Sequence, residues 1–190
     1  MPDLDLPARQ TAPFPLRPAR MHEAEGAGRR IFALYQAMHH PGPLFWILRA
    51  HERGLPFLWG LPPGIADRLY LVLAAAETDL LWAAEETLRS PAVGLVVAEP
   101  QEHLSLTAGR RLQLAAESGH TTAIMLIRQG AGSNAAETRW HCRPLLSPRG
   151  QVLHEWHLLR DKRGAPKAWV LDWDGRGRHV AVLSEAMADL

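Results

Sequence analysis

The sequence has a single cysteine, Cys142, among its 190 residues, so no internal disulfide framework is possible. No apolar run approaches the ~20 residues that a membrane-spanning helix needs. The first ten residues lack the basic stretch and apolar segment of a secretory signal. These absences argue against a disulfide-stabilised secreted protein and a membrane-spanning one, and they predict a cytoplasmic protein.

The composition is that of a globular protein, with 47% hydrophobic and 22% charged residues and a net charge of +1. The length suits one domain with a sizeable core. Basic residues concentrate between Arg139 and Arg178, where nine Lys or Arg accompany four Asp or Glu. This stretch is interpreted as a solvated basic face, with a surface for DNA or an acidic partner as the alternative.

Residues 1–19 are rich in proline and arginine and show no periodicity, which predicts an extended arm. Phe14 and Leu16 are its two candidates for packing onto the body of the protein or onto a partner. Residues 20–190 then form a single domain.

Short apolar runs at 44–48, 69–73, 93–98 and 122–127 predict strands buried on both faces, as in a parallel sheet. Helical periodicity separates them: helices are predicted at 29–39, at 79–89 with Thr78 as N-cap, and at 106–117 with Gly119 in the left-handed conformation. Strands that alternate with helices predict an α/β fold with a mainly parallel sheet flanked by helices.

After residue 129 the pattern changes to short alternating segments at 138–143, 152–159, 167–173 and 179–183, separated by glycine and proline turns. They predict antiparallel strands that extend the sheet. Four tryptophans fall in this part, and most of them are expected in the core with at least one exposed. Residues 184–190 are interpreted as a short amphipathic helix or a frayed tail.

Residues 20–30, RMHEAEGAGRR, form a glycine-containing turn that opens the first predicted helix. A working phosphate-binding loop needs the pattern G-x-x-x-x-G-K-[ST], whose lysine and hydroxyl hold the phosphates and Mg²⁺. Here Gly26 and Gly28 are too close together, and Arg29 and Arg30 follow in place of the lysine and the hydroxyl. The favoured interpretation is a tight turn kept for packing, with weak anion binding by the arginines as the alternative. No cofactor or metal is predicted.

Two stretches resemble known proteins. Residues 87–99 (TLRSPAVGLVVAE) resemble the helix and Walker B strand of RecA-type recombinases, and residues 106–129 resemble their next helix and strand. Residues 106–117 (LTAGRRLQLAAE), followed by Thr138-Arg139-Trp140, are similar to the ImuA family, a RecA- and SulA-related family of bacterial mutagenesis cassettes. The resemblance covers roughly residues 20–185 and implies a RecA-like fold with a degenerate Walker A loop.

The resemblance also implies a function. ImuA proteins are encoded with ImuB, an inactive Y-family polymerase homologue, and with an error-prone replicative-type polymerase. The chain is therefore expected to be a non-catalytic accessory protein of translesion synthesis in the SOS response to DNA damage. Its implied partner is the ImuB-type homologue, with RecA and the error-prone polymerase as further candidates.

Two groups of site residues follow from the resemblance. Glu99 lies where the family fold puts the Walker B acid, and Gln129 matches the residue that senses the γ-phosphate. Together with the glycine turn they define a vestigial nucleotide site: Gly26, Gly28, Arg29, Arg30, Glu99 and Gln129. A second group consists of candidates for contact with DNA or a partner, or ordinary surface arginines: Arg110, Arg111, Arg128, Arg139 and Arg143.

Three other functions stay open at this point. A SulA-like cell-division inhibitor would bind FtsZ, a residual RecA-like ATPase would bind nucleotide, and a DNA-binding module would show steep salt dependence. The expected oligomeric state is a monomer or a dimer.

Overall fold

The computed structural model describes residues 14, 16–52, 61–147, 150–178 and 180–187. Within these ranges nine strands form one sheet. The strands are β1 (Met21–Glu25), β2 (Leu44–Arg49), β3 (Leu69–Ala74), β4 (Leu95–Ala98), β5 (Thr122–Leu126), β6 (Thr138–Leu146), β7 (Val152–Asp161), β8 (Lys167–Asp172) and β9 (Ala181–Met187). The helices are α1 (Arg29–Ala37), α2 (Glu77–Leu88) and α3 (Leu106–Gly119), and a 3-10 turn spans Ala66–Arg68.

The strand order across the sheet is β3-β2-β4-β5-β1-β6-β7-β8-β9. All neighbours from β3 to β6 are parallel, and the neighbours from β6 to β9 are antiparallel. The predicted α/β fold, with a mainly parallel sheet and antiparallel C-terminal strands, is therefore confirmed. One detail differs, because β6 was expected to be antiparallel and instead joins β1 in the parallel direction.

The helices cover both faces of the parallel part of the sheet. Along β4, Leu95 and Val97 pack in the core on the side of α1, whereas Val96 and Ala98 pack in the core on the side of α2 and α3. Successive strand residues point to opposite faces, so the unbroken apolar run of β4 fits burial on both sides.

Strand β1 was missed by the sequence prediction, which treated residues 20–30 as a turn. It lies between β5 and β6 and is buried along its whole length, although its sequence is MHEAE. Its polar side chains have partners: both ring nitrogens of His22 make hydrogen bonds, to the Thr138 hydroxyl at 2.7 Å and the Arg17 carbonyl at 2.9 Å. Burial lowers the pKa of His22 to about 4, so its ring is neutral near pH 7.

Both predicted helix caps were wrong. Helix α2 begins after Ala76 rather than at Thr78. Helix α3 begins after Ser105, whose hydroxyl accepts from the Ala108 N–H at 3.1 Å, and its left-handed C-cap is His120 rather than Gly119. Gly119 belongs to the helix, and a Cβ there would lie 2.0 Å from the Leu88 carbonyl oxygen. That glycine therefore allows α3 to approach the end of α2 closely.

Strand β3 was predicted to be buried on both faces, and this was wrong. It is an edge strand of the sheet, and Tyr70, Leu71 and Leu73 are exposed by 54%, 40% and 54%. The predicted C-terminal helix or tail was also wrong for the described residues 184–187, which belong to β9. Residues 188–190 lie outside the described residues.

An aromatic core lies on the α1 side of the antiparallel strands. The four tryptophans that the sequence places there are all buried, so the expectation that one is exposed was wrong: Trp140, Trp156, Trp169 and Trp173. Phe14 packs among them, with ring centroids 4.9 Å from Trp169 and 5.3 Å from Trp156. Phe14 and Leu16 thus pack on the body of the protein; residues 1–13 and 15 of the predicted arm lie outside the described residues.

Candidate functional site

The glycine turn between β1 and α1 is packed against β6. The Gly28 N–H donates to the Cys142 carbonyl at 2.8 Å. Gly26 has a φ of +87°, and a Cβ at this position would lie 2.4 Å from the same carbonyl oxygen. The side chain of Arg29 turns back and donates to the Gly26 carbonyl at 3.0 Å. The Gly28 N–H and Nη1 of Arg29, two donors that the turn would offer to a phosphate, are thus used within the protein.

Glu99, at the end of β4, is engaged on both oxygens. The Arg30 guanidinium donates from Nε to Oε1 at 2.9 Å and from Nη2 to Oε2 at 2.8 Å. The Trp46 indole N–H donates to Oε1 at 2.7 Å. Glu99 is only 1% exposed, so this two-pronged ion pair lies where water screens it little. The fold therefore brings two of the predicted nucleotide-site residues together and satisfies each with the other.

Gln129, the remaining residue of the predicted nucleotide site, follows β5 and not β4. Gln129 is exposed in the turn that follows β5, next to Gly130, whose φ is +75°. Its neighbour Arg128 donates to the Gln101 side-chain oxygen at 2.9 Å.

The segment between β5 and β6 is held by the acidic side chains of β1. The Glu23 carboxylate accepts from the Ser133 N–H at 2.6 Å and from Arg139 Nε at 2.8 Å. Glu25 accepts from the Gly130 N–H at 3.0 Å. Burial raises the pKa of Glu23 above its usual value, while the bonds from Ser133 and Arg139 oppose that rise. This segment is therefore anchored to the central strand.

Lys162 adds a further anchor from the turn after β7. Its ammonium group donates to the Ala135 carbonyl at 2.7 Å. Arg160 does the same from β7 itself, because its guanidinium donates to the side-chain and main-chain oxygens of Asn134 at 3.0 and 3.1 Å. Two basic residues of the C-terminal half thus hold the loop in place.

The five arginines predicted to contact DNA or a partner lie at separate places. Arg139 and Arg143 lie on β6, where they pair with Glu23 and Glu155. Arg111 lies on α3 and pairs with Glu85 of α2 at 2.6 Å. Arg128 contacts Gln101, as described above, and Arg110 is exposed on α3. Arg110 and Arg111 are successive residues of α3 and point in different directions, so the five arginines are distributed over α3, β6 and the segment after β5.

A groove runs between α2 and α3 beside Arg111. Its volume is about 300 Å³, and it is lined by Thr78, Leu81, Trp82, Glu85, Ala108, Arg111 and Leu112. Trp82 is 64% exposed, and so is Leu114, three residues beyond Arg111 on α3. Sequence reasoning did not select Trp82, which lies on the exposed side of α2.

Two further observations concern the described residues only. They contain no group of three or more His, Cys, Asp or Glu side chains arranged to hold a metal ion. None of their helices combines the length and the hydropathy that crossing a bilayer requires.

Comparison with known proteins identifies a family. No family model matches the chain. The chain is 32% identical over 173 residues to Protein ImuA of Caulobacter vibrioides strain NA1000 / CB15N, covering 78% of this chain and 68% of the relative. Protein ImuA of Caulobacter vibrioides strain ATCC 19089 / CIP 103742 / CB 15 gives the same values. At this identity and coverage, the chain belongs to the ImuA family.

Proposed function

We propose that the protein is a non-catalytic accessory factor of damage-induced translesion DNA synthesis and acts by binding other proteins of a mutagenesis cassette. Its main partner in this proposal is an ImuB-type Y-family polymerase homologue, with RecA and an error-prone replicative-type polymerase as further candidates. Membership of the ImuA family supports the role in mutagenesis. The structure supports the non-catalytic part of the proposal.

The observation that carries the proposal is the pairing of Arg30 with Glu99. In a RecA-like ATPase the acid at the end of this strand acts on metal-bound water next to the phosphates. Here Glu99 accepts hydrogen bonds from Arg30 and from the Trp46 indole, and both of its oxygens are used. A carboxylate neutralised in this way is a structural element of the core, which fits a degenerate RecA-like domain.

The groove between α2 and α3 supports a protein-binding role. Exposed tryptophan next to arginine is the combination that most often dominates the energy of protein interfaces. Trp82 and Arg111 line this groove, and the exposed Leu114 adds apolar surface beside it. We place the partner contact here.

Direct contact with DNA has less support. Arg139 and Arg143 are committed to acidic side chains of the protein, and Lys162 and Arg160 are committed to the loop after β5. Binding a phosphate would break these bonds, so the proposal expects DNA affinity to be weak and strongly reduced by salt.

The test is recovery of bound proteins from cells treated with a DNA-damaging agent. Tagged wild-type protein is compared with Trp82→Ala and Arg111→Ala, and bound proteins are identified by mass spectrometry. Arg163→Ala is the matched control, because Arg163 and Arg111 are 62% and 63% exposed and each pairs with one glutamate.

The wild type and the control are expected to recover the Y-family homologue, the error-prone polymerase or RecA. Trp82→Ala and Arg111→Ala are expected to recover none of these proteins. Recovery of FtsZ without these proteins would contradict the proposal and favour a division inhibitor, and recovery of none of them would also count against it. Equal recovery by all four proteins would move the contact away from the groove.

A further inference from the structure

Strand β3 presents an unprotected edge of the sheet. Among the described residues its only strand partner is β2, and none of them pairs with its other side. Natural edge strands are shielded by charges, prolines or bulges, since an open edge pairs with other chains. The sequence of β3, LYLVLA, has no charge and no proline, and its pairing with β2 runs without a bulge.

Both faces of this edge expose large apolar side chains. Tyr70 lies on the face of α2 and stacks on Phe45 of β2, with ring centroids 5.0 Å apart. Leu71 and Leu73 lie on the opposite face, in register with Trp46 and Leu48 of β2. A helix docked on one face would leave the other face exposed. An added strand would cover both.

The backbone of β3 is also oriented for an added strand. The Ala74 carbonyl accepts from the Ala50 N–H, so the backbone groups of Ala74 point towards β2. Because these directions alternate along a strand, the N–H and C=O of Leu71 and Leu73 point outwards. They can bond to a neighbouring strand without any change in the sheet.

We propose that the β3 edge pairs with β3 of a second copy of this chain, in the antiparallel direction, so that two sheets join into one. A two-fold axis perpendicular to the sheet passes beside Leu71 and places the two Leu71 residues opposite each other. Tyr70 then lies opposite Val72, and Leu69 opposite Leu73. The occupant is a second copy because the edge, uncharged along its whole length, requires an equally apolar and uncharged strand, and β3 itself is one.

The backbone allows this register, because the N–H and C=O of Leu71 point outwards in both copies and can form a hydrogen-bonded pair across the axis. The alternative register centred on Val72 would place Leu71 opposite Leu73 of the other copy. A cross-link at Leu71 distinguishes the two registers.

This inference is independent of the proposed function, because the groove between α2 and α3 is not part of it. Light scattering coupled to size exclusion measures the mass of the wild type, Leu71→Lys and Leu114→Lys. The wild type is expected at twice the 21.1 kDa of one chain, and Leu71→Lys at the mass of a single chain, since it opposes two lysines across the axis. Leu114→Lys, at a 64% exposed leucine of α3, is expected to stay dimeric.

A cross-link tests the register. In this register Leu71→Cys places one cysteine of each copy directly opposite the other. Their Cα atoms are then about 5.5 Å apart, which is within the range that a disulfide bridges. Cys142 does not interfere, because it is fully buried and burial raises the pKa of its thiol. Oxidation is expected to link Leu71→Cys into dimers and to leave Leu114→Cys unlinked.

Three results would overturn the inference. They are a wild type that stays monomeric as its concentration rises, a Leu71→Lys variant that is folded by circular dichroism and still dimeric, and a dimer in which Leu71→Cys does not cross-link. A monomeric wild type would favour pairing of β3 with a strand from a different protein. Either of the other two results would place the dimer contact on another surface.

Discussion

Arg30 and Glu99 are 69 residues apart in the chain and form a two-pronged ion pair beneath the turn that precedes α1. The pair joins the first helix to the end of a central strand. Both oxygens of the Glu99 carboxylate are thereby bonded within the protein.

The pair should contribute measurably to stability. Among the described residues, Arg30→Ala leaves the buried Glu99 carboxylate with the Trp46 indole as its hydrogen-bond donor. The free energy of unfolding is expected to fall by about 1.5–3 kcal/mol, the usual value for a hydrogen bond to a charged group. Urea unfolding measures it. Arg163→Ala, which removes a largely exposed arginine, is the control and should change stability by less than about 1 kcal/mol. Equal effects of the two variants would argue against a structural role for the pair.

Nucleotide should not stabilise the protein. A ligand that binds only the folded state raises the melting temperature in proportion to RT ln(1 + [L]/Kd). Because the Gly28 N–H and the Glu99 carboxylate are already bonded within the protein, millimolar ATP with Mg²⁺ is expected to leave the melting temperature unchanged. A shift that requires both ATP and Mg²⁺ would revive the ATPase interpretation.

Gly26 should tolerate no side chain. Alanine at a φ of +87° is strained by about 1–2 kcal/mol, and its Cβ would also overlap the Cys142 carbonyl oxygen. The free energy of unfolding of Gly26→Ala, measured with urea, is therefore expected to fall by about 2–5 kcal/mol, once a steric cost of about 1–3 kcal/mol is included.

Gly64→Ala separates these two contributions. Gly64 has a φ of +76°, and a Cβ there meets no atom within 4 Å, so this variant carries only the backbone strain. If the two alanine variants lose the same stability, the turn does not pack on β6 as described.

Stability should depend on pH through His22. The unfolded state binds a proton near pH 6.5, whereas the folded state does so only near pH 4 because the ring is buried. Between these values the unfolded state holds more protons, so stability is complete above pH 6.5 and is lost as the pH falls towards 4. The full loss from this group is about 3 kcal/mol.

Comparison with His22→Gln isolates that contribution. Burial also lowers the pKa of His40 and His154 and raises that of Glu23, and these groups are the same in both proteins. Urea unfolding at several pH values should give a shallower loss for His22→Gln between pH 6.5 and 4. Parallel curves for the two proteins would show that His22 titrates normally in the folded state.

The sequence predicted those helices and strands whose burial is visible in the local pattern of apolar residues. Strands β2, β4 and β5 are continuous apolar runs, and the three helices show amphipathic spacing, so all six elements were predicted. Strand β1 was not, because MHEAE is polar. Its burial depends on Thr138, Ser133 and Arg139, more than 100 residues away, and no local pattern reports such partners.

In the candidate site, too, the sequence predicted individual residues but not the contacts between distant parts of the chain. Arg30 was selected from the glycine turn and Glu99 from the resemblance to RecA-type recombinases, but their contact with each other depends on the register of distant elements. The exposure of β3 was missed for a related reason. An apolar run predicts a strand, and only the order of strands in the sheet decides whether that strand lies in the middle or at the edge.

The position of β1 has a consequence for synthesis of the protein. The ribosome makes β1 before the other described strands, yet one of its two neighbours, β6, begins at Thr138. Until then the glutamates and the histidine of β1 have neither arginine nor hydroxyl partners, and Phe14 has no tryptophans to pack against. A nascent chain that ends before β6 therefore cannot complete its core, and its apolar side chains stay exposed until the C-terminal half has been made.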